Sequence, residues 1–396
     1  MGRNALQELE LIATRLSGKV VQHINSTFNG GGVAEILSRM VPLMEELGVY
    51  AHWDIINGNE KFFQVTKKFH NALHGSQEKI SPQDFSLFLE TSEENIKKLN
   101  LYGDFIIAHD PQPIALVKRK KELEKRWVWR CHIDVSNPNE QVWNFLKPFM
   151  VQYDAAIFSA PAFAHELPIR QFYISPSIDP LSDKNKDLTP KAIDSVLARY
   201  GIPRDKPIIT QVSRFDYLKD PVGVIKTFEM VRKSIDSRLV LAGGTATDDP
   251  ESDKVLAEVQ ERAEENPDIH ILLLPSDSNI EINALQRASA VIMQKSLREG
   301  FGLTVSEALW KAKPVVASAV GGIPLQVKNK FTGLLVYSIE GAAYAVRQLL
   351  TNPGYASWLG ENGREHMRHN FLITRLIEDY LLLLLSLDRP EDVIHL

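Results

Sequence analysis

Twelve short apolar segments, separated mostly by 12 to 25 residues of helical periodicity, set the strongest limit on what this chain can fold into. In the first half they fall at 20–24, 52–56, 105–108, 128–133, 155–158 and 172–174. In the second half they fall at 208–212, 239–242, 269–273, 290–293, 315–317 and 333–336. Strands this short and this uniformly apolar need cover on both faces, and their alternation with helices supplies it in a parallel sheet. At 396 residues the chain also exceeds what one ordinary core holds. The expected fold class is therefore α/β, with two doubly wound Rossmann-like domains facing across a cleft. The boundary falls in a proline-rich segment that carries Pro176, Pro180, Pro190, Pro203 and Pro207. This reading gives an N-terminal domain over 1–178, a linker over 179–206 and a second domain over 207–372. The leucine-rich run 373–387 needs a large apolar partner. It is expected to form a C-terminal helix, about 373–396, that packs back on the first domain.

Composition narrows the function classes. With 44% hydrophobic and 24% charged residues, the chain has the balance of a globular protein. A net charge of −5 gives no bulk attraction for nucleic acid or an anionic membrane. Cys131 is the only cysteine, which fits a reducing compartment and leaves no disulfide framework. Residues 1–17 read as an amphipathic helix and not as a signal peptide. The apolar run 380–385 is far short of the roughly 20 residues that span a bilayer. These points give a cytoplasmic expectation, with no membrane span and no nucleic-acid partner; a homodimer is compatible with them.

In sheets of this kind ligands bind beyond the carboxyl ends of the strands. The segment after 290–293 contains Arg298, Glu299, Gly300, Phe301, Gly302, Leu303, Thr304 and Glu307. Strand, glycine turn and helix start aim unpaired backbone N–H groups at an anion. Glu299 lies in the turn, and Glu307 lies in the second turn of the helix. The two carboxylates can hold one ligand from its two ends. After 208–212 come Arg214 and Lys219, which suit a diphosphate through a guanidinium fork and an added point charge. A solvated surface pair is the plainer alternative. After 20–24 come Asn25 and the run Gly30, Gly31 and Gly32, which opens a helix but lacks the G-x-G-x-x-G spacing. His109 follows the third strand, and His132 and Asp134 close the fourth; either they converge on a sugar-sized ligand or they form a strand-end hydrogen-bond network. No spacing points to a metal. Val320, Gly321, Gly322, Ile323 and Pro324 form a further glycine turn after 315–317.

These residues resemble a known family. Glu299 and Glu307, with the intervening Gly300-Phe301-Gly302-Leu303, look like the E-x7-E signature of retaining GT-B glycosyltransferases of family 4. Ser213-Arg214 with Lys219, and Ala319 to Pro324, match that family's phosphate pair and following glycine turn. The stretches His23 to Thr27, Gly30 to Leu37, Thr66 to Leu73, His109 to Pro113 and Trp129 to Asp134 are similar to the branch of nucleoside-diphosphate-glucose-dependent trehalose synthases and trehalose phosphorylases.

The resemblance implies transfer of glucose from ADP-, UDP- or GDP-glucose to glucose, reversibly and with retention, forming trehalose. On that basis Arg214 and Lys219 bind the diphosphate and Glu307 binds the ribose. Glu299 holds the donor sugar hydroxyls, with main-chain groups of Gly300 to Thr304 along the sugar and phosphate. Gly30 to Gly32 lie near the diphosphate and the acceptor. His109 contacts the donor sugar near its anomeric carbon, while Asn25, His132 and Asp134 serve the acceptor. No cofactor is required, and Mg2+ is compatible but not essential, because the two cations neutralise the leaving group. Closure about the linker excludes water. The partners are then small-molecule sugar and nucleotide-sugar substrates. The competing readings are a trehalose phosphorylase, a family 4 transferase with another acceptor, and a non-catalytic sugar-nucleotide binder, against which the intact residue set argues.

Overall fold

A computed structural model describes residues 3–28, 31–244, 250–263 and 266–391. The chain divides into two compact units, Met1–Pro176 with Ile373–Leu396, and Ser177–Leu372. Each unit is built on one six-stranded sheet. In the first, β1 (Val20–Asn25), β2 (Tyr50–Ile55), β3 (Phe105–His109), β4 (Arg126–Cys131), β5 (Ala155–Phe158) and β6 (Arg170–Tyr173) lie in the order β2-β1-β3-β4-β5-β6. In the second, β7 (Ile208–Val212), β8 (Arg238–Gly243), β9 (Ile269–Leu273), β10 (Val291–Gln294), β11 (Val315–Ser318) and β12 (Leu334–Val336) lie in the order β12-β11-β10-β7-β8-β9. Every ladder in both sheets is parallel. This is the doubly wound α/β class expected from the alternation of strands and helices.

The strand order fixes where each sheet opens. The winding reverses between β1 and β3 in the first sheet and between β7 and β10 in the second. At such a switch point the two flanking connections leave in opposite directions, and a crevice forms at the carboxyl ends. The loops after β1, β3, β7 and β10 are therefore the ones to inspect.

β4 begins and ends two residues earlier than the apolar pattern predicted. Phe105 pairs with Arg126, and the ladder stops at Cys131 because the next amide, His132 N, donates to the Asp110 side chain at 2.7 Å. His132 to Asp134 are thus freed from the strand and become a strand-end loop.

The segment 179–206 is not a linker. It belongs to the second unit. Its prolines shape a capped helix, Pro190–Arg199, with Pro190 in the first turn and Thr189 accepting from Ala192 N. That helix buries Val196 and Leu197 and packs with Ile202 against Ile208, Val240 and Leu285. Upstream of it, Asn185 is buried and accepts a hydrogen bond from Lys311 Nζ at 3.0 Å. The first unit correspondingly stops at Pro176, not at 178.

The C-terminal helix runs Ile373–Asp388 and buries Leu376, Leu381, Leu383, Leu384 and Leu387 within the first unit. Lys19 holds Asp388 at 2.8 Å, and Arg170 donates to the Ser386 carbonyl at 3.0 Å. Residues 392–396 of the expected helix lie outside the described residues. Among the described residues no helix is long and apolar enough to cross a membrane.

At the amino ends of the second sheet a charge network ties β7, β8 and β9. Asp268 is buried and receives Lys206 at 3.0 Å, Arg238 at 3.2 Å and Arg232. Burial raises its pKa, but the Lys206 hydrogen bond and the charges of Arg232, Lys206 and Arg238 outweigh that, and the net shift is downward. A carboxyl with a depressed folded-state pKa stabilises the fold above its unfolded value of about 4 and loses that contribution as pH falls through the folded value. Asp268→Asn leaves Arg232 without a carboxylate among the described residues, while Lys206 keeps Asp236 at 3.0 Å and Arg238 keeps Asp205 at 2.7 Å, so the loss is that of charge-assisted hydrogen bonds, about 1.5–3 kcal/mol. Thermal unfolding at pH 7 should show that loss, and the variant's stability should fall less steeply than the wild type's below about pH 4.

Candidate active site

The second unit gathers its charged residues at the β7/β10 switch point. β7 ends at Val212, and a short turn carries Arg214, Asp216 and Lys219. The Lys219 main chain is pinned on both sides. Its amide donates to Asp216 Oδ1 at 3.2 Å, and its carbonyl accepts from Gln211 Nε2 at 2.9 Å. The side chain then reaches Glu299, with Nζ 2.7 Å from Oε2. Glu299 Oε2 also accepts from Ser296 Oγ at 3.1 Å and Gln294 Nε2 at 3.4 Å. Arg214 stays half-exposed, held near Asp216 Oδ2 at 3.2 Å. The expected diphosphate pair and the first glutamate thus share one site: an oriented, largely buried ammonium, a half-exposed guanidinium on the same turn, and a carboxylate held by three side chains, Lys219, Ser296 and Gln294.

A second lysine, Lys295, joins them. It follows β10 directly and is buried, with its amide donating to Gln211 Oε1 at 2.9 Å and its ammonium paired with Asp220. Asp220 adopts a left-handed conformation, caps the helix Pro221–Arg232 and follows Lys219 in sequence. The Lys295–Asp220 pair therefore fixes the turn that aims Lys219. Sequence reasoning missed Lys295, Gln294 and Ser296, although the strand-end rule would have found all three immediately after 290–293.

The E-x7-E segment folds as a turn and a helix, Leu303–Trp310. Gly302 is the N-cap with a positive φ of 84°. It has no side chain to cap the first turn; Val305 N donates to the Gly302 carbonyl at 2.9 Å, and the amides of Leu303 and Thr304 are the ones suited to a ligand. The carbonyls of Gly300 and Phe301 are already taken, by Gly322 N at 3.2 Å and by Gln326 Nε2. The Phe301 ring belongs to the core, 5.6 Å from the Phe371 ring, so only its main chain is open to the site. Leu303 also packs on that core, and Thr304 donates to Gln294 Oε1 at 3.0 Å. Glu307 is buried in the helix. Its carboxylate accepts from Gln286 Nε2 at 3.2 Å and sits 3.6 Å from Lys184 Nζ. Lys184 comes from the segment read as a linker, and nothing in the sequence tied it to Glu307.

In the first unit the site residues cluster at the ends of β1, β3 and β4. His109 is buried, and both its ring nitrogens are engaged: Nε2 lies 3.0 Å from His23 Nδ1, and Nδ1 lies 3.0 Å from His132 Nε2. His132 is the partly exposed member of the three. Burial lowers the pKa of all of them, His23 to about 3, and the nearby Arg130 charge lowers His109 and His132 further. Asp110, in a left-handed conformation, accepts from His132 N; burial raises its pKa to about 7 against that bond and Arg130. Asp134 is buried and turned on its own loop, accepting from Ser136 N at 3.1 Å and Ser136 Oγ at 2.6 Å. Asn25 donates to the Thr27 carbonyl at 3.2 Å. Gly31 and Gly32 open the helix Gly31–Glu46 and are exposed, while Gly30 lies outside the described residues. Among the described residues no group of His, Cys, Asp and Glu is placed to hold a metal ion.

Both halves of this arrangement have counterparts in known proteins. Residues 23–165 match the family model for the trehalose synthase N-terminal domain, and residues 193–366 match that for glycosyl transferases group 1. The trehalose synthase of Thermococcus litoralis is 42% identical over 98% of this chain and 95% of its own length. That of Pyrococcus horikoshii is 43% identical over 98% of this chain and 94% of its own. Among solved structures, the α,α-trehalose 6-phosphate synthase of Burkholderia multivorans superposes with a TM-score of 0.76 at 18% identity, covering 94% of this chain and all of that one. At that identity the superposition speaks for the GT-B fold alone. These matches span 98% of the chain and so take in both units, and on that ground the chain belongs to the trehalose synthase family of glycosyltransferases.

Proposed function

We propose that this enzyme moves glucose from a nucleoside diphosphate glucose to a second glucose, with retention, to form trehalose, and that the reaction is reversible. The observation that carries the reading is the Lys219–Glu299 pair at the β7/β10 switch point, with Arg214 half-exposed beside it. The bond to be broken leaves a diphosphate, whose negative charge grows as the sugar departs. Arg214 and Lys219 are fixed cations beside the site where that charge develops, and preorganised charge of this kind acts mainly in the transition state. Glu299 offers a carboxylate to the donor sugar's hydroxyls, and the amides at the start of Leu303–Trp310 suit the phosphate. Glu307 takes the ribose, exchanging Lys184 and Gln286 for the sugar hydroxyls.

The acceptor's hydroxyl attacks from the face the diphosphate leaves. A phosphate oxygen takes its proton, so no protein base or covalent nucleophile is needed. Arg214 and Lys219 supply the positive charge, so the mechanism requires no metal cofactor; Mg2+ would act as an accessory. The strand-end residues of the first unit, His132 and Asp134 among them, serve the acceptor sugar.

Product analysis tests this directly. The purified protein is incubated with glucose and ADP-, UDP- or GDP-glucose, and in parallel with trehalose and inorganic phosphate. Trehalose together with a nucleoside diphosphate is the expected result and names the base. Glucose 1-phosphate from the second mixture alone would replace this reading with phosphorolysis.

A further inference from the structure

The first unit holds a line of three imidazoles that the reading above does not use as a unit. His23 on β1, His109 at the end of β3 and His132 just beyond β4 are joined nitrogen to nitrogen at 3.0 Å and again at 3.0 Å. The His109 and His132 rings stack with 16° between their planes. Three adjacent strands set this spacing, since β1 pairs with β3 and β3 with β4.

A neutral imidazole carries one N–H, so a line of three can point its donors only one way along its length. Its inner end decides the direction. His23 Nε2 is buried and has no hydrogen-bond partner among the described residues. If the donors pointed inward, that nitrogen would carry an N–H with no acceptor. If they point outward, it holds only a lone pair. An orphaned buried donor is the rarer and costlier of the two. His23 Nδ1–H therefore donates to His109 Nε2, and His109 Nδ1–H donates to His132 Nε2. The His132 proton is then on Nδ1, the one ring nitrogen of the three that has neither a partner nor full burial.

The groups facing the line keep it neutral. Arg130 is buried beside it, bonded through Nη2 to Ser159 at 3.3 Å, with Nε and Nη1 unpartnered among the described residues. Its charge and the lack of solvent oppose a second proton on any ring. Asp110 engages the His132 main chain, not its ring. The Tyr380 ring stands 6.2 Å from His23 and closes the inner end.

We propose that His23, His109 and His132 form a tautomer-locked line in which His132 Nδ1–H is the ring donor presented to the sugar, with His109 and His23 as positioning residues behind it. This rests on the reading that the first unit's strand ends serve a sugar substrate. It withdraws His109 from direct contact with the sugar and leaves His132 as the imidazole that touches it.

Two amide replacements separate the contact from the support. An asparagine amide reaches the place of a histidine Nδ1, and a glutamine amide reaches the place of Nε2. His132→Asn keeps a donor towards the sugar and gives up His109, whereas His132→Gln keeps His109 and gives up the donor. His132→Gln is expected to lose about 100-fold in kcat/KM, the size of one lost preorganised donor, and His132→Asn about tenfold less than that. The reverse ranking, or equal losses, would overturn the assignment. Nitrogen-15 spectra of histidine-labelled protein report the tautomer without needing turnover. The His132 signal should show its proton on Nδ1, and His23→Phe should disturb the His109 and His132 signals while His23→Asn, which retains a donor at the Nδ1 place, leaves them near wild type. A His132 proton found on Nε2 would sink the proposal. Arg214→Ala, in the other unit, tests the transferase reading separately: undiminished turnover there would remove that reading while the spectra still decide the tautomer.

Discussion

Lys219→Met should abolish most of the turnover and also lower the stability of the second unit, and the two effects should be separable. Lys219 Nζ stands 2.7 Å from Glu299 Oε2, with both side chains largely out of water. Truncating the lysine removes a cation from the developing diphosphate, an effect worth roughly 100- to 1,000-fold in kcat. It also leaves Glu299 with only Ser296 and Gln294, neither of which carries charge. An uncompensated carboxylate in that setting costs about 3–5 kcal/mol. Glu299→Gln alone has the mirror effect on Lys219. The double variant Lys219→Met with Glu299→Gln removes both charges and leaves a hydrogen-bonded neutral pocket. Its melting temperature should lie nearer the wild type's than that of either single variant, while trehalose formation stays as low as in Lys219→Met. A double variant that regained turnover along with stability would show that the pair is architectural and that diphosphate neutralisation lies elsewhere.

The contrast between these two glutamates shows what was legible in the sequence. Glu299 and Glu307 are eight apart on a strand–turn–helix pattern, and local spacing alone puts one in the turn and one on the helix. Arg214 and Lys219 follow a clean apolar strand, so the strand-end rule reached them too. The twelve strands were equally readable, because each buried parallel strand writes a short uninterrupted apolar run. The unreadable part consists of partners fixed only by the fold. Lys184 meets Glu307 across 123 residues of sequence because the segment after Ser177 folds onto the second unit, and prolines gave that segment the look of a linker. His23 lies inside β1 between Gln22 and Ile24, and nothing in that strand signals the two histidines that β3 and β4 bring to it. Lys295 lies just past the end of β10, within the same strand-end rule that finds Arg214 after β7.

The largest purely steric effect is expected at Gly321, and it reaches the active site through the backbone. Gly321 has a φ of +55°, and a Cβ built there would sit 1.6 Å from the Glu299 carbonyl oxygen. Gly302 also has a positive φ, +84°, but its Cβ would first meet the Glu299 Cγ at 3.2 Å, the stem of a side chain that can yield a little. The left-handed conformation costs any ordinary residue about 1–2 kcal/mol, and this is common to both sites. Only at 321 does the methyl collide with main chain. The turn 299–302 must then move, and with it go the Glu299 carboxylate and the Gly322–Gly300 hydrogen bond that holds the turn. Gly302→Ala should therefore lose about 1–2 kcal/mol of stability and retain measurable turnover, because the strain is local. Gly321→Ala should lose more stability than that and at least 100-fold in activity, since a displacement of about 1 Å in a catalytic group is enough for such a loss. Thermal melts and trehalose formation measured on the two variants side by side decide the matter. Equal behaviour would mean that the turn after β11 is free to shift and that the Glu299 carbonyl contact does not position the site.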